Sequence, residues 1–358
     1  MAIQLAGNTV IHDNQNVQVS GVTTASSFVG DGSQLTNLPA SGGTLQATAS
    51  GTLTDGSKVL VNADGTVSVV SGSTTNATES LSSTGVAWDN STNANFWSAA
   101  YDTHNNKAVI CWRSTSPSWG IGKVALGTIS GTSISFTTPA NFSSTNIDEC
   151  AIVFDSYNNR VVITYLDWGN SGYGTAVVGE ISGNSITFGT PVVFESATVE
   201  SISPVFDSHN NRVVIFYVNG GAGTRPRAIV GEVNPSTNAI SFGSITTSSY
   251  TNCRSTAAAF DSDNNMVLLA MGMTNTGRMH AGTVNPSNNS ISFANDGATA
   301  EEFNNSDSSH TAVAYDTTNN KAVVLWSGTS GAGYAKVCLL YTSPSPRDRT
   351  RSRMPSSA

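Results

Sequence analysis

Five aspartates with amide neighbours are the residues whose type and spacing most suggest chemistry. Each begins a string of the form Asp-Ser/Thr-x-Asn-Asn. A carboxylate beside amide oxygens is a donor set that suits Ca²⁺, but no copy has the Asp-x-Asp-x-Asp-Gly spacing of a calcium loop. An Asp that accepts from backbone N–H groups, with an Asn in the left-handed conformation, closes a tight turn. We therefore predict structural turns, with no metal and no cofactor, at Asp102, Asp155, Asp207, Asp261 and Asp316.

Carboxylate pairs are the second candidate chemistry, because glycoside hydrolysis typically needs two carboxylates that flank one bond. The remaining acidic candidates are scattered, at Glu149, Glu195, Glu200, Glu301 and Glu302. The basic residue five positions after the repeated Asp is interpreted as structural, at Lys107, Arg160, Arg212 and Lys321. The sequence therefore does not predict an enzyme.

Histidines and cysteines form no metal-ligand pattern. No two of His12, His104, His209, His280 and His310 are four residues apart or in a His-x-His string. The cysteines before residue 338 are odd in number, and we expect reduced thiols that pack as small hydrophobic groups, at Cys111, Cys150 and Cys253.

The most divergent segments of the chain carry aromatic and basic side chains. Flat aromatic rings suit the C–H faces of sugars, and Asn, Asp and Arg can hydrogen-bond sugar hydroxyls. The alternative is that these aromatic side chains only pack loops against one another. The candidate ligand-binding residues are Trp119, Trp168, Tyr173, Arg225, Arg227, Arg278 and Tyr334.

The elements that position these residues repeat along the chain. The five aspartates are 53, 52, 54 and 55 residues apart. Within one repeat, a short apolar string precedes the Asp turn, and a β-branched and aromatic string such as Arg160–Tyr165 follows it. Two further strands meet at a second turn, for example Ser182–Asn184.

Four antiparallel strands in about 50 residues are typical of one β-propeller blade. The sequence therefore predicts an all-β protein with a β-propeller-like array of four-stranded blades, four complete and a fifth partial. The nearly continuous apolar second strand fits a strand that neighbouring blades bury on both faces. A parallel β-helix is the alternative.

Composition and charge exclude several classes of protein. Charged residues make up 11% of the chain, and the net charge is −8. An acidic chain without Lys/Arg clusters does not suit a nucleic-acid backbone. No run of about 18 apolar residues is present for a membrane helix. The segment Met1–Val10 lacks the basic and apolar regions of a secretory signal.

Composition also divides the chain. Residues 1–43 are polar, glycine-punctuated and β-prone, and residues 44–86 contain a small β-hairpin unit and a Ser/Thr/Asn linker. The repeats occupy residues 87–337. Residues 338–358 read CLLYTSPSPRDRTRSRMPSSA and resemble a translated sequencing adapter, so we expect an artefactual, disordered tail and a truncated repeat array.

The N-terminal string NVQVSGVTTASSFVGDGSQLTNLP resembles the fibrous stem of bacteriophage tail fibres and related virion proteins. The repeats, with GNSGYGTAVVGEISGNSITFGTPVVFES, are similar to receptor-binding proteins of environmental phages. The resemblance implies a virion component made in the host cytoplasm. It also implies a homotrimer assembled through the stem, with other virion proteins as partners.

Together these features favour an adhesin that recognises a host-surface glycan or surface protein through the propeller loops. Sialidase-like propellers suggest a polysaccharide-cleaving glycosidase as the alternative, but the Ser-x-Asp-x-Gly-x-x-Trp box of sialidases is absent. A purely structural virion protein is the third possibility.

Overall fold

The computed structural model describes residues 4–5, 8–9, 59–61, 66–69, 85–89, 94–115, 120–221, 223–293 and 300–339. The chain divides into two compact units, Met1–Glu79 and Ser80–Ala358. Regular structure in the described ranges consists of β-strands and one short 3-10 helix, Trp168–Asn170. The predicted all-β class is therefore confirmed.

The few described residues of the first unit form two short antiparallel pairs. Strand β1 (Gln4–Leu5) pairs with β2 (Asn8–Thr9), and β3 (Val59–Val61) pairs with β4 (Val67–Val69). The rest of the predicted stem and most of the hairpin unit and linker lie outside the described residues.

The described residues of the second unit form five successive antiparallel sheets, which we number as repeat sheets 1 to 5. Sheet 1 has β5 (Ala94–Asp102), β6 (Lys107–Ser114), β7 (Ile121–Ser130), β8 (Ser133–Phe136) and β9 (Ala140–Asn141). Sheet 2 has β10 (Ile147–Asp155), β11 (Arg160–Asp167), β12 (Tyr173–Ser182), β13 (Ser185–Phe188) and the start of β14 (Val192–Asp207). Sheet 3 has the rest of β14, β15 (Arg212–Asn219), β16 (Arg225–Asn234), β17 (Ala239–Phe242) and β18 (Thr246–Thr247). Sheet 4 has β19 (Cys253–Asp261), β20 (Met266–Met273), β21 (Thr276–Asn285), β22 (Ser290–Phe293) and β23 (Glu301–Asn304). Sheet 5 has β24 (Ser309–Asp316), β25 (Lys321–Ser327) and β26 (Gly333–Leu339).

Each sheet follows the chain order, so that consecutive strands are neighbours. After the fourth strand, a short fifth segment runs back along the first half of the third strand, as β9 does on β7. Between sheets 2 and 3 this segment and the next first strand are one continuous strand, β14. The first strands of consecutive sheets contact one another.

The hydrophobic core lies between adjacent sheets. The apolar second strands of sheets 2, 3 and 4 are buried on both faces. Ile163 packs into the cluster between sheets 1 and 2, whereas its neighbour Val162 packs into the cluster between sheets 2 and 3. A single sheet cannot bury both of its faces, so each repeat depends on the next for its stability.

The Asp side chains close the first hairpin of every repeat. In sheet 3, Oδ1 of Asp207 accepts from the backbone N–H groups of His209 and Asn210, at 3.0 and 2.9 Å. Oδ2 accepts from the side-chain amide of Asn210 at 2.8 Å. Asn211, the next residue, has a φ of 56°. The same bonds recur at the other four turns, with Asp102, Asp155, Asp261 and Asp316.

The described part of the chain contains no helix with the length and apolar character that a bilayer crossing requires.

Candidate ligand-binding surface

The strand register defines two ends of each sheet. In sheet 2, Ile147 at the start of the first strand pairs with Asp167 at the end of the second strand. Asp167 also pairs with Tyr173 at the start of the third strand. We call this end, where the divergent segments join second to third strands, the loop end. The opposite end, with the hairpin of Asp155 and Arg160, is the turn end.

A bulge lies near the loop end of the first strands. In β10 the register shifts between Asp148 and Cys150, and Glu149 between them has a φ of 33°. Positive φ also occurs at Phe96, Ser201 and His310, which are the matching positions of sheets 1, 3 and 5. A bulge takes backbone N–H groups out of the ladder, so these groups need other acceptors.

The preceding repeat supplies those acceptors. Ser201 Oγ accepts from the N–H of Thr256 at 2.7 Å, and Ser255 Oγ accepts from the N–H of Thr311 at 3.2 Å. Glu149 does the same for the N–H of Ser201. The Glu149 carboxylate therefore occupies a position that serine occupies in sheets 3 and 4.

This substitution creates an acidic group at the loop end. Burial raises the pKa of the Glu149 carboxyl; the charges of Glu200 and Asp148 raise it further, and the N–H of Ser201 acts in the opposite direction. Glu149 and Asp148 are half-buried, whereas Glu200 is exposed. We call Asp148, Glu149 and Glu200 the acidic group.

Trp168 lies beside the acidic group. Its 3-10 helix is capped by Asp167, which accepts from the N–H of Gly169 at 3.0 Å and from the hydroxyl of Thr145 at 2.8 Å. A Cβ on Gly169 would lie 2.4 Å from Thr145, so only glycine fits this approach. The indole is 48% exposed, and its Nε1 donates to Asp148 at 3.5 Å.

Arg113 fixes the other side of Asp148. The guanidinium donates to Asp148 Oδ1 at 3.1 Å, and both side chains are largely shielded from solvent. Asp148 is thus held by a cation from sheet 1 and an indole from its own sheet. The arrangement presents an exposed aromatic face next to carboxylate oxygens that accept hydrogen bonds.

The structure brings few of the predicted ligand-binding residues together. Trp168 is in the connecting segment, and Tyr173 is half-buried at the start of β12, five residues later. Trp119 lies outside the described residues. Arg225, Arg227, Arg278 and Tyr334 lie within third strands rather than loops, because antiparallel pairing with the second strand extends to these residues.

Three of these residues make contacts that stabilise the fold. Arg227 forms an ion pair with Glu195, which is buried and also accepts from the hydroxyl of Tyr217 at 3.0 Å. Arg278 pairs with Glu302 at 2.9 Å and lies over the ring of Tyr250. Arg225 donates to the backbone carbonyls of Ser248 and Ser249.

Tyr334 stacks on Trp326 of the same sheet, with ring centroids 5.6 Å apart. Its ring is exposed on sheet 5, three repeats after Trp168 in the sequence. Of the described candidates, Trp168 and Tyr173 therefore remain as the pair that the loop end of sheet 2 presents.

Sequence reasoning missed the acidic group as a unit. Glu149 and Glu200 are 51 residues apart, close to the repeat period, and that spacing was the available signal. Because matching positions of consecutive first strands are neighbours, two acidic residues one period apart meet at the loop end. Asp148 joins them through its adjacency to Glu149.

No group of three or more His, Cys, Asp or Glu side chains that could hold a metal ion occurs among the described residues. Burial raises the pKa of the Cys111 thiol, with the neighbouring Cys150 adding to the effect. Burial also raises the pKa of Cys253 to about 12. These thiols are therefore protonated and poor nucleophiles at neutral pH.

No protein-family model and no curated protein sequence matches this chain. Among solved structures, a protein from Lactobacillus plantarum is similar to this chain, with 12% identity and a TM-score of 0.43 over 81% of this chain and 80% of the other. A thermostable family-43 glycoside hydrolase is similar at 10% identity and a TM-score of 0.37, over 70% of this chain and 90% of the other. At these values, nothing about the function of this chain follows from either similarity.

Proposed function

We propose that the repeat sheets are successive blades of a β-propeller whose loop end binds a glycan. Supporting observations for the fold are the contacts between consecutive first strands and the burial of the second strands of sheets 2 to 4 on both faces. The observation that carries the binding function is the exposed indole of Trp168, held in place beside the carboxylates of Asp148, Glu149 and Glu200.

The chemistry of this surface matches a neutral or amino sugar better than an acidic one. A sugar ring packs its C–H face on an indole, while carboxylates accept hydrogen bonds from its hydroxyls. The acidic group repels anionic ligands, and Arg113 is already occupied by Asp148. The glycan class is therefore one without carboxylates or sulfates.

In this proposal the protein is a phage tail-fibre-like adhesin located on the virion. The resemblance of the N-terminal string to fibre stems supports this location, and it also supports a homotrimer joined to other virion proteins. Three copies of a weak glycan site on one particle would add through effective concentration. A host-surface protein as receptor and a purely structural role are the alternatives.

A glycan array with the full-length chain tests the binding function. We expect wild type to bind neutral or amino glycans and Trp168→Ala to lose at least tenfold in affinity. Tyr157→Ala is the matched control, because Tyr157 is 67% exposed at the turn end and should not affect binding. A wild-type protein that binds no glycan, or a Trp168→Ala variant that binds equally well, would contradict the proposal.

A polysaccharide-cleaving glycosidase is the second candidate, favoured by one observation. Glu149 has a raised pKa and lies near the exposed Glu200, and two carboxyl groups in different environments can serve as acid and base. The use of serine at the Glu149 position in sheets 3 and 4 supports a structural role instead.

Reducing-end release from host polysaccharide separates these two functions. Binding without cleavage is the expected result for wild type. If cleavage occurs and is lost in both Glu149→Gln and Glu200→Gln, while Tyr157→Ala retains it, the glycosidase replaces the adhesin.

A further inference from the structure

Two buried cysteines from neighbouring repeats lie together in the core. Cys111 is in β6 of sheet 1 and is fully buried, and Cys150 is in β10 of sheet 2 and is 7% exposed. Both belong to the hydrophobic cluster between the two sheets. The two thiols are hydrogen-bonded to each other, so their sulfur atoms are in contact across the interface.

Contacts with the first strand of sheet 1 hold the two cysteines in this arrangement. Ser98 in β5 is the strand partner of Cys111. Across the interface, Ser98 Oγ accepts from the N–H of Ile152 at 3.3 Å, and the carbonyl of Phe96 accepts from the thiol of Cys150 at 2.8 Å. Both cysteines are therefore anchored on the same short stretch of β5, and neither sulfur atom depends on a loop for its position.

The geometry of the two thiols is close to what a disulfide needs. A disulfide places its sulfur atoms about 2 Å apart. Sulfur atoms that are already in hydrogen-bond contact need only a small side-chain movement to reach that separation. The bond would also replace two weak hydrogen-bond donors with an apolar group, which suits an apolar cluster.

The cysteine pair is a property of this interface and not of the repeat. The matching positions at the other three interfaces of the described sheets lack cysteine and hold Thr164 and Ile202, Phe216 and Thr256, and Ala270 and Thr311. The third buried cysteine, Cys253, donates to the carbonyl of Ser255 at 3.4 Å, within its own strand. The odd number of cysteines before residue 338 therefore divides into one pair and one single thiol.

We propose that Cys111 and Cys150 form a disulfide that joins sheets 1 and 2 when the chain folds in the presence of a low-molecular-weight disulfide. The thiolate of one cysteine attacks the small disulfide, forms a mixed disulfide and releases one small thiolate. The thiolate of the second cysteine then attacks the protein sulfur of the mixed disulfide and releases the second small thiolate. Each released thiolate takes up the proton that a cysteine lost. The two cysteines are thus oxidised by two electrons, and the small disulfide is reduced to two thiols.

The reaction belongs to folding, before sheet 2 packs on sheet 1. In the folded protein both thiols are shielded from a soluble disulfide, and burial raises the pKa of the Cys111 thiol. A chain that folds with a reductant present therefore keeps both thiols. A chain that folds in an oxidising medium gains a covalent link between residues 39 positions apart in the sequence. Such a link restricts the unfolded chain and should stabilise the fold.

Refolding of the reduced full-length chain in a glutathione redox buffer tests the proposal. The chain is unfolded in urea and diluted to a low concentration, so that separate copies do not cross-link, and free thiols are then blocked by alkylation. Trypsin cuts after Arg113 and Lys123, which places the two cysteines in separate peptides, residues 108–113 and 124–160. We expect mass spectrometry to find these two peptides joined at least tenfold more often than either is joined to residues 228–254, the peptide of Cys253.

The same oxidation in concentrated urea measures pairing without the fold, since closeness in the sequence alone favours Cys111 with Cys150. We expect the joined fraction to be at least tenfold lower in urea. Cys253→Ala is the matched control and should leave the joined peptides unchanged, whereas Cys111→Ala and Cys150→Ala should abolish them. The peptide map of the wild type needs no substitution, so the result does not depend on whether the alanine variants fold.

Thermal unfolding of the oxidised and the reduced wild type gives the effect on stability. We expect a higher midpoint for the oxidised chain, and a return to the reduced value after the chain is unfolded, reduced and refolded with a reductant. The proposal is overturned if the cysteines of both peptides are alkylated after refolding, or if the joined fraction is as high in urea. It is also overturned if the oxidised chain unfolds at a lower temperature than the reduced chain.

Discussion

Arg160 of the second repeat and Asn238 of the third are joined across the interface between their sheets, with Nε of Arg160 2.6 Å from Oδ1 of Asn238. The guanidinium also donates to the carbonyl of Pro235 at 2.8 Å and pairs with Glu180 of its own sheet at 3.0 Å. Arg212 repeats the arrangement on Asn289. The cation of one repeat therefore binds the second turn of the next.

Replacement of this cation should weaken the interface. Arg160→Met retains the apolar part of the side chain, as Met266 does in the fourth repeat, but removes the bonds to Asn238 and Pro235. We expect a loss of about 1–3 kcal/mol in the free energy of unfolding, measured by urea denaturation. Lys321→Met is the control at the same repeat position. Lys321 has no following sheet to bind among the described residues, so its replacement should cost little. A loss comparable to that of Arg160→Met would contradict the interface role of the cation.

The aspartate turns give a second prediction. Asp207→Asn keeps one acceptor oxygen but places an N–H₂ group against the amide of Asn210, so a partly buried donor loses its partner. We expect a loss of about 1–3 kcal/mol. Asp316→Asn removes the matching bond at a turn that is partly open to water, and should cost less.

Metal removal provides the test of the alternative role for these turns. If the aspartates act only on their own hairpins, EDTA should leave the thermal unfolding midpoint of the wild type unchanged. A midpoint that falls on chelation and recovers with added Ca²⁺ would instead assign a metal to the turns.

The hairpin turns and the strand pattern are accessible to sequence reasoning because their donors and acceptors lie within four residues. The Asp207 turn is such a case, and the 53-residue period fixes where the pattern recurs. The strand ends are harder to predict. Arg225 and Arg227 follow a Gly-rich segment that suggests a loop, yet Arg225 pairs with Asn219 and the strand has already begun.

The side-chain contacts between repeats could not be predicted from the sequence. Arg227 meets Glu195 only because the segment after the fourth strand returns along the third strand and carries the carboxylate to the next sheet. The acidic group likewise depends on first strands from two repeats and on a bulge at Glu149. Neither arrangement has a signature within a single repeat.

A glycine–phenylalanine pair recurs across the sheets and gives a third prediction. A Cβ on Gly174 would lie 2.6 Å from the ring of Phe194, and Gly122 and Gly277 approach Phe142 and Phe303 in the same way. In sheet 3 the corresponding residues are Pro226 and Ser248, which still share a backbone hydrogen bond of 3.0 Å. The phenylalanine is therefore present where the third-strand residue is glycine and absent in sheet 3, where that residue is Pro226.

A double-mutant cycle measures this coupling. Gly174→Ala should cost about 1–3 kcal/mol by overpacking, and Phe194→Ala about 3–5 kcal/mol by loss of the buried ring. In the Phe194→Ala background the contact with the ring is gone and the added methyl meets only Val199 Cγ1, at 2.9 Å, so Gly174→Ala should cost less than in the wild type. If the two losses in the free energy of unfolding are additive in urea denaturation, the Phe194 ring is not the reason that position 174 requires glycine.

Thiol reactivity gives a fourth prediction. Cys111, Cys150 and Cys253 are buried, and burial raises the pKa of Cys253 to about 12. We expect these three thiols to react with an aromatic disulfide reagent only after denaturation. The partly exposed Cys338 should react in the native protein. Rapid labelling of Cys111 in the native state would show that sheets 1 and 2 separate readily.

The pH dependence of stability depends on Glu149. Because burial and the charges of Glu200 and Asp148 raise its pKa in the folded state above the ordinary value, the folded protein binds this proton more tightly than the unfolded chain does. The stability that the protonated form contributes is complete below the unfolded pKa and is lost as the pH rises through the folded pKa.

Glu149→Gln removes the charge, and its amide oxygen can still accept from the N–H of Ser201. We expect the variant to have a higher thermal unfolding midpoint than wild type at pH 7, and the difference to disappear near pH 4. Glu301→Gln, at an exposed site, should follow the wild-type profile. A Glu149→Gln variant that is less stable than wild type at pH 7 would show that the carboxylate bond to Ser201 outweighs the cost of burying the charge.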